Sequence, residues 1–298
     1  LPAPHPKRAA GLLSLRFACD APWLSVRVVW SFSLTVFNAF MTHQIRVEVS
    51  TDHVATVEFE RGARNHFDAA LIAGLADTFE RLDADVDARA IVLCSSGRHF
   101  CAGADLPGAL SGGEQSVAGS TGSLYEEAAR LFAARTPIVA AVQGAAVGGG
   151  LGLALVADFR VAGPSTRFIA NFSRLGLHQG FGITVTLPAV VGTQRAQEML
   201  YTGRAVAGEE AARIGLCDRL ATDDAVRSTA HAFAAEIAAS APLAVVSIRQ
   251  TLRGDLADRV RAATALEQAE QIKLAATADF VEGVSATAER REPRFTGS

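Results

Sequence analysis

The chain has 298 residues, of which 49% are hydrophobic, with 28 Lys and Arg set against 31 Asp and Glu for a net charge of −3. This is ample material for a large core, and the near-neutral balance gives no field of the kind nucleic acids select, so no nucleic-acid partner is expected. Cys19, Cys94, Cys101 and Cys217 form no CxxC pair and suggest reduced thiols in a cytoplasmic protein rather than a disulfide framework.

Residues 1–40 differ from the rest, holding both tryptophans, Trp23 and Trp30. The apolar run 23–40 contains Arg27, Asn38 and three serines, so no membrane-spanning helix is expected there. No small-residue cleavage site closes the run as in a signal peptide, whereas basic residues with Asp20 as the sole acid are compatible with a transit peptide. The expectation is a start at Met41, with residues 1–40 as upstream sequence or a dispensable leader.

Beyond Met41, near-alternation through Val54, Thr56, Val57 and Phe59 predicts strands over 45–50 and 54–60, joined at Thr51-Asp52-His53. Asp68 can cap a helix whose Leu71, Ile72, Leu75, Phe79 and Leu82 recur at helical spacing. The unbroken apolar run 90–94 predicts a strand covered on both faces. A small-residue loop follows over 97–106, and residues 108–123, rich in Gly and Ser, read as a mobile loop over a site. A helix is expected over 124–134 and a buried strand over 138–142. Gly148, Gly149 and Gly150 then turn into a small helix and a further strand before Gly163. A strand over 167–170, a turn over 176–182 and helices over 193–201, 208–214 and 223–239 follow, the last with Val226, Phe233 and Ile237 on one face. Pro242 interrupts the pattern, and helical segments continue almost to Arg291. Strands alternating with helices, then helices alone, predict an α/β core with a helical C-terminal region.

The glycines 148, 149, 150 and 152 each cost a helix about 1 kcal/mol relative to alanine. Such a cost makes sense where backbone must approach something closely. Free N–H groups at a helix N-terminus, helped by its dipole, attract an anion or a carbonyl oxygen becoming one. No GxGxxG, Walker A, HExxH or GxSxG motif is present, which removes support for dinucleotide, nucleotide triphosphate, zinc protease and serine hydrolase readings. The loops 101–105 and 146–150 could each aim one N–H at a single oxygen.

This pair of strand-to-loop segments resembles the crotonase superfamily, the enoyl-CoA hydratase/isomerase family. The resemblance runs from about Met41 to the end. It is carried by Arg98-His99-Phe100-Cys101-Ala102-Gly103-Ala104-Asp105-Leu106, the run 137–158, Gly192-Thr193-Gln194-Arg195-Ala196, Ala207-Gly208-Glu209-Glu210-Ala211, and Glu282-Gly283 with the tail 289–295. It implies an α/β spiral of strand-strand-helix units with a helical C-terminal trimerisation region that packs across a neighbouring subunit. The implied division is an acyl-CoA-binding core over 41–232 and an oligomerisation region over 233–298, in a homotrimer or hexamer. The implied substrate is an acyl-CoA thioester of fatty acid metabolism, with CoA part of the substrate and no separate cofactor, metal or membrane partner. By position, the oxyanion donors are the amides of Ala104 and Gly149. Ala63, Arg64, Ala102, Asp105 and Leu106 match the CoA groove, although Asp105 could instead fix its own loop. Gly148, Gly152, Asn171, Phe172, Leu175 and Gly180 match positions around the substrate.

Two departures stand out. Gly152 and Phe172 occupy the positions where hydratases of this family carry the two glutamates that hold water and move protons. Neither can exchange a proton, so the usual two-glutamate hydration is not available, and Phe172 makes its part of the site drier. His178 and Gln179 lie in the turn where other branches place alternative catalytic groups. His178 is chemically capable, or it is a turn histidine bonded to backbone. Tyr125 falls where a dehalogenase branch has its base, or it is core packing. Glu126 and Glu127 read as a solvated face, His66 and His99 as flanking the groove or as surface residues, and Cys101 as an inert buried thiol. The resulting expectation is an enzyme performing isomerisation, decarboxylation or thioester hydrolysis. A non-catalytic acyl-CoA carrier and a purely structural subunit are the competing classes.

Overall fold

The computed structural model describes residues 39–42, 44–104 and 117–298. The leader expected over residues 1–40 and the mobile loop expected over 108–123 lie largely outside these residues, and Asp105 and Leu106 lie wholly outside them.

Strands β1 (Ala39–Thr42), β2 (Ile45–Val49) and β3 (Val54–Phe59) form an antiparallel meander. The other strands are β4 (Ala90–Ser95), β5 (Ile138–Val142), β6 (Ala145–Val147), β7 (Phe159–Ala162), β8 (Arg167–Ile169), β9 (Ala205–Ala207) and β10 (Arg219–Leu220). The helices are α1 (Ala69–Asp83), α2 (Val117–Phe132), α3 (Gly149–Val156), α4 (Ile183–Val191), α5 (Thr193–Thr202), α6 (Gly208–Arg213), α7 (Val226–Ala238), α8 (Pro242–Arg253), α9 (Leu256–Ala275) and α10 (Ala278–Glu289). The larger sheet has the order β1-β2-β3-β4-β5-β7-β10, parallel from β3 onward. A smaller sheet, β6-β8-β9, stands beside it.

The unbroken apolar sequence of β4 follows from burial on both faces. Ile91 and Leu93 join the core shared with α1, while Ala90, Val92 and Cys94 join a second cluster under α7. Asp68 caps α1 as expected, its carboxylate accepting from the Leu71 amide at 2.9 Å. In α7 the buried stripe is Val226, Ala230, Ala234 and Ala238, at four-residue spacing. Phe233 and Ile237, expected on that face, are half-buried and pack on the same cluster, Phe233 against Phe159 and beneath Arg219. Small side chains let α7 approach the sheet, so the larger ones are displaced to its flank. The boundary expected between residues 232 and 233 falls inside this helix.

Two other expectations are corrected. Helix α2 begins at Val117 rather than 124, despite the poor helix propensity of its Gly- and Ser-rich first turns, and the helix as a whole packs against α1 and α9. Helix α4 was not expected at all. Pro242 opens α8, so helix resumes from the interruption as expected; at the first helical position its missing N–H has no partner to lose. Helix α9 packs on α2 and α4 of its own chain. By contrast, α8 buries only Arg249. Arg249 and Arg253 reach Asp158 at 2.8 and 3.0 Å, and Asp158 also accepts from the Ile138 amide at 2.8 Å. Ion pairs rather than apolar packing therefore hold this helix to the sheet. Among the described residues no single helix is long and apolar enough to cross a membrane.

Candidate active site

Two segments run side by side into the site. Phe100 donates to the Gln143 carbonyl (2.9 Å), Cys101 to Ala145 (3.1 Å) and Val147 to Cys101 (2.9 Å), with Cys101 and Ala146 paired in parallel register. The turn before α1 is joined to the same ladder: Ala102 donates to the Arg64 carbonyl and Phe67 to the Gly103 carbonyl, both at 3.0 Å. Buried Asn65 fixes this turn, its side-chain amide donating to the carbonyls of Ser96 (2.8 Å) and His99 (2.9 Å) while its oxygen accepts from the Arg61 amide (2.8 Å).

At Gly148 the chain swings from β6 into α3 with φ +54°, a region that favours glycine. The amides of Leu151 and Gly152 return to the Gly148 carbonyl. Among the described residues, no carbonyl accepts from the amide of Gly149 or of Ala104. The loop carrying Ala104 packs directly on this helix end, since a Cβ at Gly103 would lie 2.8 Å from the Val147 oxygen and 3.4 Å from the Gly149 nitrogen. The structure thus brings the Ala104 and Gly149 segments together with both amides unclaimed, at the positive end of a helix dipole.

Aromatic rings surround them. A Cβ at Gly149 would collide with the Phe67 ring, and one at Gly148 would lie 3.8 Å from the Phe172 ring and 3.5 Å from Asn171 Oδ1. Asn171 and Phe172 therefore stand beside the turn. Gly152 faces Phe181: a Cβ there would lie 2.7 Å from Phe181 Cβ and 2.9 Å from Cδ1. Ala63 and Arg64 are exposed in the turn before α1. Leu175 packs with Leu177, Phe280 and Val284 beneath α10, and Gly180 lies against the Tyr125 hydroxyl, where a Cβ would collide.

The candidate acids and bases sort by burial. Tyr125 is 7% exposed and donates to Gln271 Oε1 at 2.7 Å; burial, with Glu267 nearby, holds its phenol well above the ordinary range. It serves as core packing and as a hydrogen-bond donor. Cys101 is fully buried, and burial pushes its thiol up to about 12, which fits an inert thiol. His178 places Nδ1 2.9 Å from the Gln179 carbonyl, and its own carbonyl accepts from Gln271 at 2.9 Å. When Nδ1 carries the proton in that bond, Nε2 is left as the free acceptor. Gln179 bonds Thr184 at 3.1 Å. His66 bonds the Gly103 carbonyl at 3.2 Å. His99 is at the opposite end of the paired segments from Ala104, lining a separate cavity of about 420 Å³ with Arg98, Gln143 and Arg167. Burial, with Arg98 and Arg64 close by, lowers its pKa.

Sequence reasoning missed Asn65, Phe67, Phe181 and Glu267. Glu267, fully buried on α9, accepts from the amides of Gly182 (2.8 Å) and Thr184 (3.0 Å) and so caps α4; burial raises its pKa. Of these only Phe181 carries a local signal, an aromatic residue between two glycines, Gly180 and Gly182.

Among the described residues, then, a mixed sheet with a helical tail carries a short parallel ladder that ends at the Ala104 and Gly149 amides. The family model for enoyl-CoA hydratase/isomerase matches residues 50–298. A Rhodobacter capsulatus protein named "Probable enoyl-CoA hydratase" is 37% identical over 258 residues, covering 86% of this chain and 98% of that protein. The 1,2-epoxyphenylacetyl-CoA isomerase of Escherichia coli K12 is 31% identical, covering 82% of this chain and 95% of the isomerase. The crystal structure of an enoyl-CoA hydratase/isomerase from Pseudoalteromonas atlantica superposes with a TM-score of 0.75 at 31% identity, over 85% of this chain and all of the other. The chain belongs to the enoyl-CoA hydratase/isomerase family.

Proposed function

We propose that this enzyme binds an acyl-CoA thioester with its carbonyl oxygen between the amides of Ala104 and Gly149, which stabilise the enolate formed next to it. The observation that carries the reading is the pair of unclaimed amides at the end of one ladder. A fixed donor of this kind contributes about 3 kcal/mol of transition-state stabilisation, because it is already oriented when charge develops. With Gly152 against Phe181 and buried Phe172 beside Gly148, no carboxylate stands at either residue to activate water. The reaction is therefore isomerisation, decarboxylation or thioester hydrolysis rather than two-glutamate hydration, and His178, through Nε2, is the candidate proton carrier. Arg64, Ala63 and Ala102 flank the CoA moiety. The exposed apolar side chains of α8, Leu243, Ile248 and Leu252, support assembly as a homotrimer or hexamer. The setting is cytoplasmic.

The test is incubation with saturated and unsaturated acyl-CoAs in deuterated water, following both binding and exchange at the α-carbon. Exchange or turnover that is lost in His178→Ala supports the full assignment. Tight binding without exchange or turnover leaves a carrier, and no binding of any CoA ester sinks the reading.

A further inference from the structure

Phe181 is 1% exposed yet has φ +63°, in the left-handed region that bulky L-residues avoid. A residue stays in such a conformation only where its surroundings over-determine it, and an observed outlier of this kind is grounds for asking what it does. Its surroundings here are buried polar groups from two helices. On one side the Glu267 carboxylate holds the Gly182 and Thr184 amides, at 2.8 and 3.0 Å. On the other, the Tyr125 hydroxyl lies against Gly180 while bonded to Gln271, which in turn bonds the His178 carbonyl. Both ends of the Gly180-Phe181-Gly182 turn are thus clamped, which fixes the direction of the ring.

The clamped side chain closes the space beside α3. It lies against Gly152, and its ring centroid is 5.2 Å from that of Phe67, whose ring in turn covers Gly149. An acyl group whose carbonyl oxygen sits at the Gly149 amide meets this aromatic wall within a few carbons. We propose that Phe181, backed by Phe67, determines acyl selectivity and restricts the enzyme to short acyl groups of the acetyl-to-butyryl class. This rests on the acyl-CoA reading of the same site.

The experiment compares binding of acetyl-, butyryl-, hexanoyl- and octanoyl-CoA by calorimetry to the wild-type protein, Phe181→Gly and Phe67→Ala. Glycine suits φ +63°, so the turn survives while the ring is removed. Phe67→Ala thins the same wall without touching the strained residue. In the wild type, affinity stops rising, or falls, beyond butyryl. In Phe181→Gly it rises by about fourfold for each added methylene, the value for burying a CH2 group. Phe67→Ala shifts the profile the same way by a smaller factor. Identical chain-length profiles in all three proteins, with CoA esters still bound, overturn the inference and leave the acyl-CoA reading standing. A wild type that binds octanoyl-CoA most tightly also overturns it. Failure of every ester to bind any of the three removes both.

Discussion

Gly152→Ala puts the packing beside α3 to a direct test. The new methyl carbon would lie 2.7 Å from Phe181 Cβ and 2.9 Å from Cδ1, roughly an ångström inside an ordinary carbon–carbon contact of about 3.5–4.0 Å. The nearer atom is a Cβ, which no rotamer change can move, so the backbone must yield. Overpacking of that kind costs about 1–3 kcal/mol. Opposing it is about 1 kcal/mol gained on replacing glycine with alanine inside a helix. Phe181→Gly removes the obstructing atoms, so in that background only the helix gain remains. The two substitutions should therefore couple by about 1–3 kcal/mol, each in contact with the other. For a chain of this size that is a Tm offset of about 2–4 °C per kcal/mol. Urea midpoints and Tm for the wild type, both single variants and the double variant, at one fixed protein concentration, give the cycle. A coupling within about 0.3 kcal/mol of zero, the level seen for independent sites, would refute the placement of Phe181 on Gly152.

Three further outcomes are expected. Gly103→Ala places a Cβ 2.8 Å from the Val147 oxygen at a residue with φ +81°, displacing the Ala104 amide; α-carbon exchange should fall by about 10²–10³-fold while CoA-ester affinity changes little. Unchanged exchange would remove Ala104 from the oxyanion role. Asp158→Asn leaves buried Arg249 and Arg253 without their shared carboxylate and should destabilise by about 3 kcal/mol in urea unfolding; a loss under about 1 kcal/mol, the worth of an exposed pair, would mean the ion pairs do not hold α8. Burial raises the pKa of Glu267, so its contribution to stability is fully present below the ordinary glutamate value of about 4.3 and is lost as pH rises through the folded-state pKa. The stability of the wild type relative to Glu267→Gln should therefore decline with rising pH across that window, and a difference that grows with pH would contradict it.

Much of the fold was legible because local signals and tertiary packing agreed. In β2, β3 and α1 the apolar periodicity, turn residues and Asp68 cap all indicated the same elements, and each formed where expected. Helix α4 shows where such signals fail. Ile183, Thr184, Val185 and Thr186 favour strand, and Pro188 lies inside the helix, yet it forms because Glu267, distant in sequence, caps its first turn and the core buries Ile183, Thr186, Leu187 and Val191. At the site, the glycines betrayed the close approach of backbone, since that requirement is local. What they approach was not readable: Phe67 and Phe181 come from elements far apart in the chain, and only the fold turns their rings onto Gly149 and Gly152.

The Ala104 and Gly149 amides follow two segments already tied together by the hydrogen bonds around Cys101, Ala145 and Val147. Adjacent strands are held about 4.8 Å apart by the backbone itself, so the way the two segments enter the site together is inherited from peptide geometry. Side chains facing this ladder end, such as Phe172 and Phe181, are then free to differ without breaking the hydrogen bonds that join the two segments.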